Sequence, residues 1–180
     1  MVGASRTISP PTWIGEIATD DRYASVSGAD ILPDLFIGRF PVQTIPQVLT
    51  MVNNVINYEM STPQGGWNKQ ITFVADNADS AGDFATISDE IADHFVPPDY
   101  SVDKIYYLVT HMSLSSARTA IESAFQQGRL MINFTGHARI DLWASEGLLK
   151  DTDIPNLNSG VQQPFLVPMT CNVYLPFINR

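Results

Sequence analysis

Cys171 is the single cysteine of the chain, and His94, His111 and His137 are its only imidazoles. A thiol attacks a carbonyl as the thiolate, and an imidazole within hydrogen-bond reach both takes the proton and stabilises the charge left behind. His137 is the best placed of the three. It follows the strand expected at Leu130 to Phe134, and Cys171 follows the strand expected at Phe165 to Met169, so both reactive groups stand where a strand ends. Asp76 occupies the same kind of position after Ile71 to Ala75. Alone, a cysteine is most often an inert, buried small residue; the company of a histidine and a carboxylate at matching positions argues for acyl-transfer chemistry instead.

The elements that would position these groups alternate along the chain. Thr44 is placed to cap a helix whose apolar positions Ile45, Val48, Val52, Val55 and Ile56 share one face, with Pro46 tolerated in the first turn and Ser61, Thr62 and Pro63 as the stop. The strand Ile71–Ala75 is nearly continuous in apolar residues, as expected of a parallel strand covered on both sides. A second helix face, Phe84, Ile87, Ile91 and Phe95, stops at Pro97 and Pro98. A strand from Lys104 to Val109 follows, then a third helix with Leu114, Ala117, Ile121 and Phe125 on one side and Gly128 after its end. Beyond the strand at 130–134 come a short amphipathic piece from Trp143 to Leu149, a polar loop with Pro155, Asn158 and Gly160, and the strand 165–169. Pro168 lacks a ladder donor and fits an edge or a bulge. This alternation predicts an α/β fold with an open, mainly parallel sheet and helices on both faces, and a crevice beyond the carboxyl ends of the strands.

Composition bounds the partners. The chain has 180 residues, with 10 Lys and Arg against 19 Asp and Glu and a net charge of −9. No basic surface is available for phosphates, so nucleic acid is not expected as a partner. No apolar run is long enough for a membrane span, and no signal peptide is evident in this chain. One cysteine rules out an internal disulfide and leaves a thiolate metal cluster short of ligands, so neither metal nor cofactor is expected. Asp20, Asp21, Asp30 and Asp34 lie close together, but their spacing does not match a calcium loop, and they read as solvated loop carboxylates. Arg39 reads as an ion-pair partner, and His94 as a helix-end residue interacting with the dipole. His111 follows the predicted 104–109 strand and so faces the crevice without a surrounding motif. No glycine-rich phosphate loop follows any strand, which argues against a nucleotide-binding domain.

Histidine upstream of cysteine is the order of caspase-type enzymes, whereas papain-like enzymes place the cysteine first. The segments MINFTGHARIDLWASEGLL and PFLVPMTC resemble the active-site stretches of the gingipain family, cysteine peptidases with a caspase-like fold. The stretch DRYASVSGADILPDLFIGRFPV is similar to the family's region before its first long helix, where a Gly-Asp pair and an (I/V)-G-R-(F/Y) run recur. The resemblance spans nearly the whole chain, taken as one partial peptidase domain over residues 1–180.

The resemblance implies a cysteine endopeptidase acting on protein or peptide substrates, with Cys171 as nucleophile and His137 as general base. It matches Asp76 to the acid that orients the histidine and Asp83 to an acidic residue near the specificity pocket, where a substrate arginine would make a charge-assisted contact. Backbone N–H groups of Ala138 and Cys171 would hold the oxyanion. Trp143 and Glu146, between the two reactive residues, read as packing and polar support. The family usually reads G-H-G, whereas Gly136, His137 and Ala138 here place a methyl group after the histidine. Family members carry structural calcium in some cases and are secreted or surface-bound. Both ends of the sequence look cut, and further domains of a longer parent protein are expected. The rival reading is a catalytically inactive caspase-like remnant that serves binding or assembly.

Overall fold

The computed structural model describes residues 6–8, 17–28, 30, 32–40, 42–61, 65–157 and 160–170. Cys171, Met1 to Gly3, Thr62, Pro63 and Asn158 lie outside the described residues. The chain divides into two compact units, Met1–Val48 and Leu49–Arg180.

In the first unit, β1 (Arg6–Ile8) pairs antiparallel with β2 (Ile17–Thr19). Arg39 donates from Nε and Nη2 to the two carboxylate oxygens of Asp20, at 2.7 and 2.5 Å. Asp34 accepts the N–H groups of Val26 and Ser27, both at 2.8 Å, and Asp30 accepts that of Leu32 at 2.9 Å. Arg39 is thus an ion-pair partner, and these three carboxylates hold backbone and guanidinium donors.

Helix α1 (Ile45–Met60) begins in one unit and ends in the other. Its start is a reciprocal cap: Gln47 N–H donates to Thr44 Oγ1, and Gln47 Oε1 accepts the N–H groups of Gln43 and Thr44. The expected face Ile45, Val48, Val52, Val55 and Ile56 is present, yet α1 contains no buried residue. Periodicity reports that a face can pack, not that a partner meets it.

The second unit is built on four parallel strands in the order β4-β3-β5-β9: β3 (Gln70–Ala75), β4 (Ser101–Tyr106), β5 (Met131–Thr135) and β9 (Phe165–Met169). Strand β3 is central, and its side chains alternate between two cores. Ile71, Phe73 and Ala75 pack with Phe84, Ala85 and Ala92 of α2 (Phe84–Phe95) and with Tyr106. Val74 packs with Ile105, Ile132 and Phe134 against Ala117, Ile121 and Phe125 of α3 (Leu114–Gln127). Helices therefore cover both faces. Asp83 caps α2, Ser113 caps α3, and Gly128 ends α3 at φ 77°, where a side chain would be strained. Pro168 is tolerated because, among the described residues, β9 is paired only on its β5 side.

One sequence-based boundary shifts. Strand β4 runs from Ser101 to Tyr106 rather than from Lys104 to Val109, because Tyr106 C=O accepts the N–H groups of Val109, Thr110 and His111 and closes a turn. Thr110 Oγ1 seals it by accepting the Tyr106 N–H at 2.8 Å. The short amphipathic piece from Trp143 to Leu149 takes a definite form. It lies in a three-stranded antiparallel sheet of β6 (Ala138–Arg139), β7 (Leu142–Trp143) and β8 (Leu149–Lys150). Trp143 is 1% exposed and stacks on Phe134 at 4.6 Å between ring centroids, so the meander is anchored to the core by aromatic packing.

Candidate active site

Strand order places a crevice between β3 and β5. The chain leaving β3 turns to α2 on one face, and the chain leaving β5 turns to the β6–β8 meander packed in the core of the other face. Adjacent parallel strands whose connections diverge in this way open a cleft at their carboxyl ends. Asp76 stands at one lip and His137 at the other.

His137 reaches this position through Gly136. A Cβ on Gly136 would overlap the Asp76 Cβ and press on the Phe134 ring at 3.0 Å. Glycine lets the two strand exits approach closely enough for Asp76 N–H to donate to Thr135 C=O at 3.0 Å. The imidazole is exposed, lies edge-on to Phe84 at 5.3 Å, and its Nε2 is 3.0 Å from Asp79 Oδ2. Asp79 is held in turn: its Oδ1 accepts the Ala81 N–H at 2.7 Å, and its backbone exchanges hydrogen bonds with Gly82. The Ala81 N–H, with help from His137, keeps the Asp79 carboxyl below the usual carboxylate value.

Asp76 contacts the backbone rather than the ring. Its Oδ1 accepts the Asn77 N–H at 2.9 Å and its Oδ2 the His137 N–H at 3.3 Å. It is 4% exposed, and burial pushes its carboxyl above the ordinary value, aided by the charge of Glu146 and opposed by the two N–H donors and His137. The sequence singled out Asp76 for the imidazole; the ring's carboxylate partner is Asp79, in a loop whose register composition leaves open. Asp83 uses its oxygens on Thr86 N–H (3.1 Å) and Thr86 Oγ1 (2.8 Å), and those donors hold its carboxyl low.

The peptide after His137 has a defined direction. Ala144 N–H donates to His137 C=O at 2.8 Å, so Ala138 and Trp143 form the non-hydrogen-bonded kind of antiparallel pair. Ala138 N–H therefore points away from β7. Met169 pairs with Thr135, and Gly136 N–H donates to Met169 C=O at 3.4 Å. Cys171 comes two residues after Met169 in the chain, as His137 comes two after Thr135. His111 sits in the turn beyond β4 with Nδ1 3.0 Å from Thr110 Oγ1, and His94 Nδ1 lies 2.9 Å from Glu90 C=O. Among the described residues no group of three or more His, Cys, Asp or Glu is arranged to hold a metal ion, and no helix is long and apolar enough to cross a membrane.

A mainly parallel α/β sheet with helices on both faces is the caspase-like fold expected of the chain. The chain belongs to peptidase family C25, whose profile matches residues 2–175. Over 178 residues it is 25% identical to gingipain R2 of Porphyromonas gingivalis, covering 95% of this chain and 23% of that protein. It is 25% identical to gingipain R1 of the same species, covering 17% of it. The chain thus spans under a quarter of the length of these relatives. The fold is that of the crystal structure of the Arg-specific cysteine proteinase gingipain R, with TM-score 0.68, 23% identity, and 87% of this chain and 36% of that one covered. The complex of Porphyromonas gingivalis RgpB pro- and mature domains gives TM-score 0.65 at 24% identity, covering 84% and 36%.

Proposed function

We propose that this chain is part of the peptidase domain of a cysteine endopeptidase in which His137 activates Cys171. The observation that carries the proposal is the His137 Nε2–Asp79 contact at the switch-point crevice of a C25-type sheet. A proton on Nε2 shared with Asp79 leaves Nδ1 as the basic nitrogen. Nδ1 takes the Cys171 proton, and the thiolate adds to the peptide carbonyl. The imidazolium then protonates the leaving amine as the C–N bond breaks, leaving an acyl-enzyme. Water, deprotonated by His137, attacks the thioester and releases the carboxylic acid and the thiol. Ala138 N–H, turned away from β7, and Cys171 N–H are the donors assigned to the oxyanion.

Asp79 takes the orienting role in this proposal, and Asp76 is assigned to the backbone. Asp83, exposed and ionised, remains the candidate for recognising a basic residue before the cut, as the name of the Arg-specific relative suggests. Substrates are proteins or peptides, the parent protein is secreted or surface-bound, and further domains complete it. Ala138, where the family usually has glycine, supports the second reading: a caspase-like module retained for binding, its oxyanion site narrowed by a methyl group.

The test is the rate of Cys171 alkylation by iodoacetamide against pH, in the wild type and in His137→Ala. The peptidase reading expects reactivity well below the ordinary thiol pKa of about 8.5, lost in the variant. An ordinary thiol profile, identical in both, would leave the binding module.

A further inference from the structure

Asp76 is a buried carboxylate that the proposed chemistry does not use. Each of its oxygens meets a different strand exit: Oδ1 accepts the Asn77 N–H beyond β3, Oδ2 the His137 N–H beyond β5. Its Cβ fills the space that a side chain at position 136 would need. The C=O of His137 is held from the other side by Ala144 N–H at 2.8 Å. Both peptide groups of His137 are therefore clamped, one by a buried carboxylate and one by the meander. The second of these peptides carries the Ala138 N–H, directed opposite to the C=O that Ala144 holds.

We infer that Asp76 is a positioning residue: by accepting the His137 N–H it fixes the backbone that presents both the imidazole and the Ala138 oxyanion donor. The inference rests on the peptidase reading for its consequence, though not for the hydrogen bond itself. A buried carboxylate would be a poor choice for holding the fold together, because burial disfavours its charge and raises its pKa. The charged groups that act on it are Glu146 and His137, and its remaining partners are N–H donors. Its value lies in the direction it imposes, since a charged acceptor binds an N–H more strongly than a neutral one does.

The experiment uses the full chain with Asp76→Asn and Asp76→Ala, and reads two signals. The first is the His137 backbone amide by NMR, which in the wild type is expected to shift with pH as Asp76 titrates and to lose that shift in both variants. The second is the iodoacetamide profile of Cys171. The His137-dependent rate at pH 6 is expected to fall about tenfold in Asp76→Ala and less in Asp76→Asn, which keeps one oxygen acceptor, while circular dichroism shows the wild-type fold. A His137 amide that ignores the Asp76 titration would overturn the inference, as would folded variants that keep the wild-type profile. Unfolding of both variants would make Asp76 a structural residue and overturn it too. An ordinary thiol in the wild type would sink the peptidase reading instead, leaving the amide titration to decide whether the clamp exists.

Discussion

The two ends of the β3–β5 pair treat buried charge in opposite ways. At the amino end, Arg129 is 5% exposed and fully engaged: Nε donates to Thr72 Oγ1 at 3.0 Å, Nη1 to Gly128 C=O at 2.7 Å and Nη2 to Asp103 at 2.9 Å. These bonds tie the loop after α3 to β3 and β4. At the carboxyl end, Asp76 is as buried but meets only two backbone N–H groups, and the imidazole and Asp79 beside it stand exposed. The contrast separates a charge whose partners satisfy it, which holds strands in register, from a charge kept under penalty beside reactive groups. Parallel α/β sheets place their chemistry at the carboxyl edge, so strain there and satisfaction at the opposite edge fit one division of labour.

The sharpest way to break this comparison is at His137. His137→Ala should lower any proteolytic rate by about 10²–10⁴-fold while leaving the thermal midpoint nearly unchanged, as general acid–base contributions of that size are typical. A large loss of stability would mean that the carboxyl edge also holds the fold. At the other end, Arg129→Ala should cost about 2–3 kcal/mol in urea unfolding, because it strands the buried Thr72 hydroxyl and the Gly128 carbonyl, yet leave the alkylation profile of Cys171 intact. An altered profile would show that the two edges are coupled.

Asp79→Ala should reduce the His137-dependent alkylation rate by about tenfold, less than removing the imidazole, since it loosens the ring without deleting the base. The smallest effect is in stability against pH, where the two acids of the crevice have opposite signs. Asp79 is held below its ordinary value, so it contributes stability above about pH 4 that is lost as pH falls through its folded pKa. Asp76 is raised, so the folded state binds its proton more tightly than the unfolded chain, and stability declines as pH climbs from about 4 through the raised value. Thermal midpoints between pH 3 and 7 should show that decline removed in Asp76→Asn and deepened in Asp79→Asn. The same slope in all three proteins would refute the assignment.

Much of the sheet was legible because β-branched runs and helix faces are local patterns: Ile71 to Ala75 became the buried centre, and Phe84 and Ile121 pointed their helices at opposite cores. Lys104 to Val109 misled because Leu108 and Val109 look like strand residues. Tyr106 C=O nevertheless gathers three N–H groups into a turn, a competition that composition does not record. The face of α1 was legible in the same way, though amphipathicity says nothing about what lies opposite it, and the face is exposed.

For the site, the amino-acid sequence alone determined which groups stand at strand ends, His137 and Asp76 among them, because a strand's end is written in where apolar alternation stops. It also placed Cys171 after a strand, whereas the pairing of that strand with the one before His137 belongs to the tertiary structure. Which carboxylate meets the imidazole was decided only in three dimensions. Asp76 follows β3 directly and is drawn under the His137 peptide by the close approach at Gly136, while the next loop folds back through Ala81 and Gly82 to bring Asp79 to Nε2. Spacing along the chain gives the edge on which a side chain falls. The hydrogen bonds of a short loop, set by neighbours distant in sequence, give the direction in which it points.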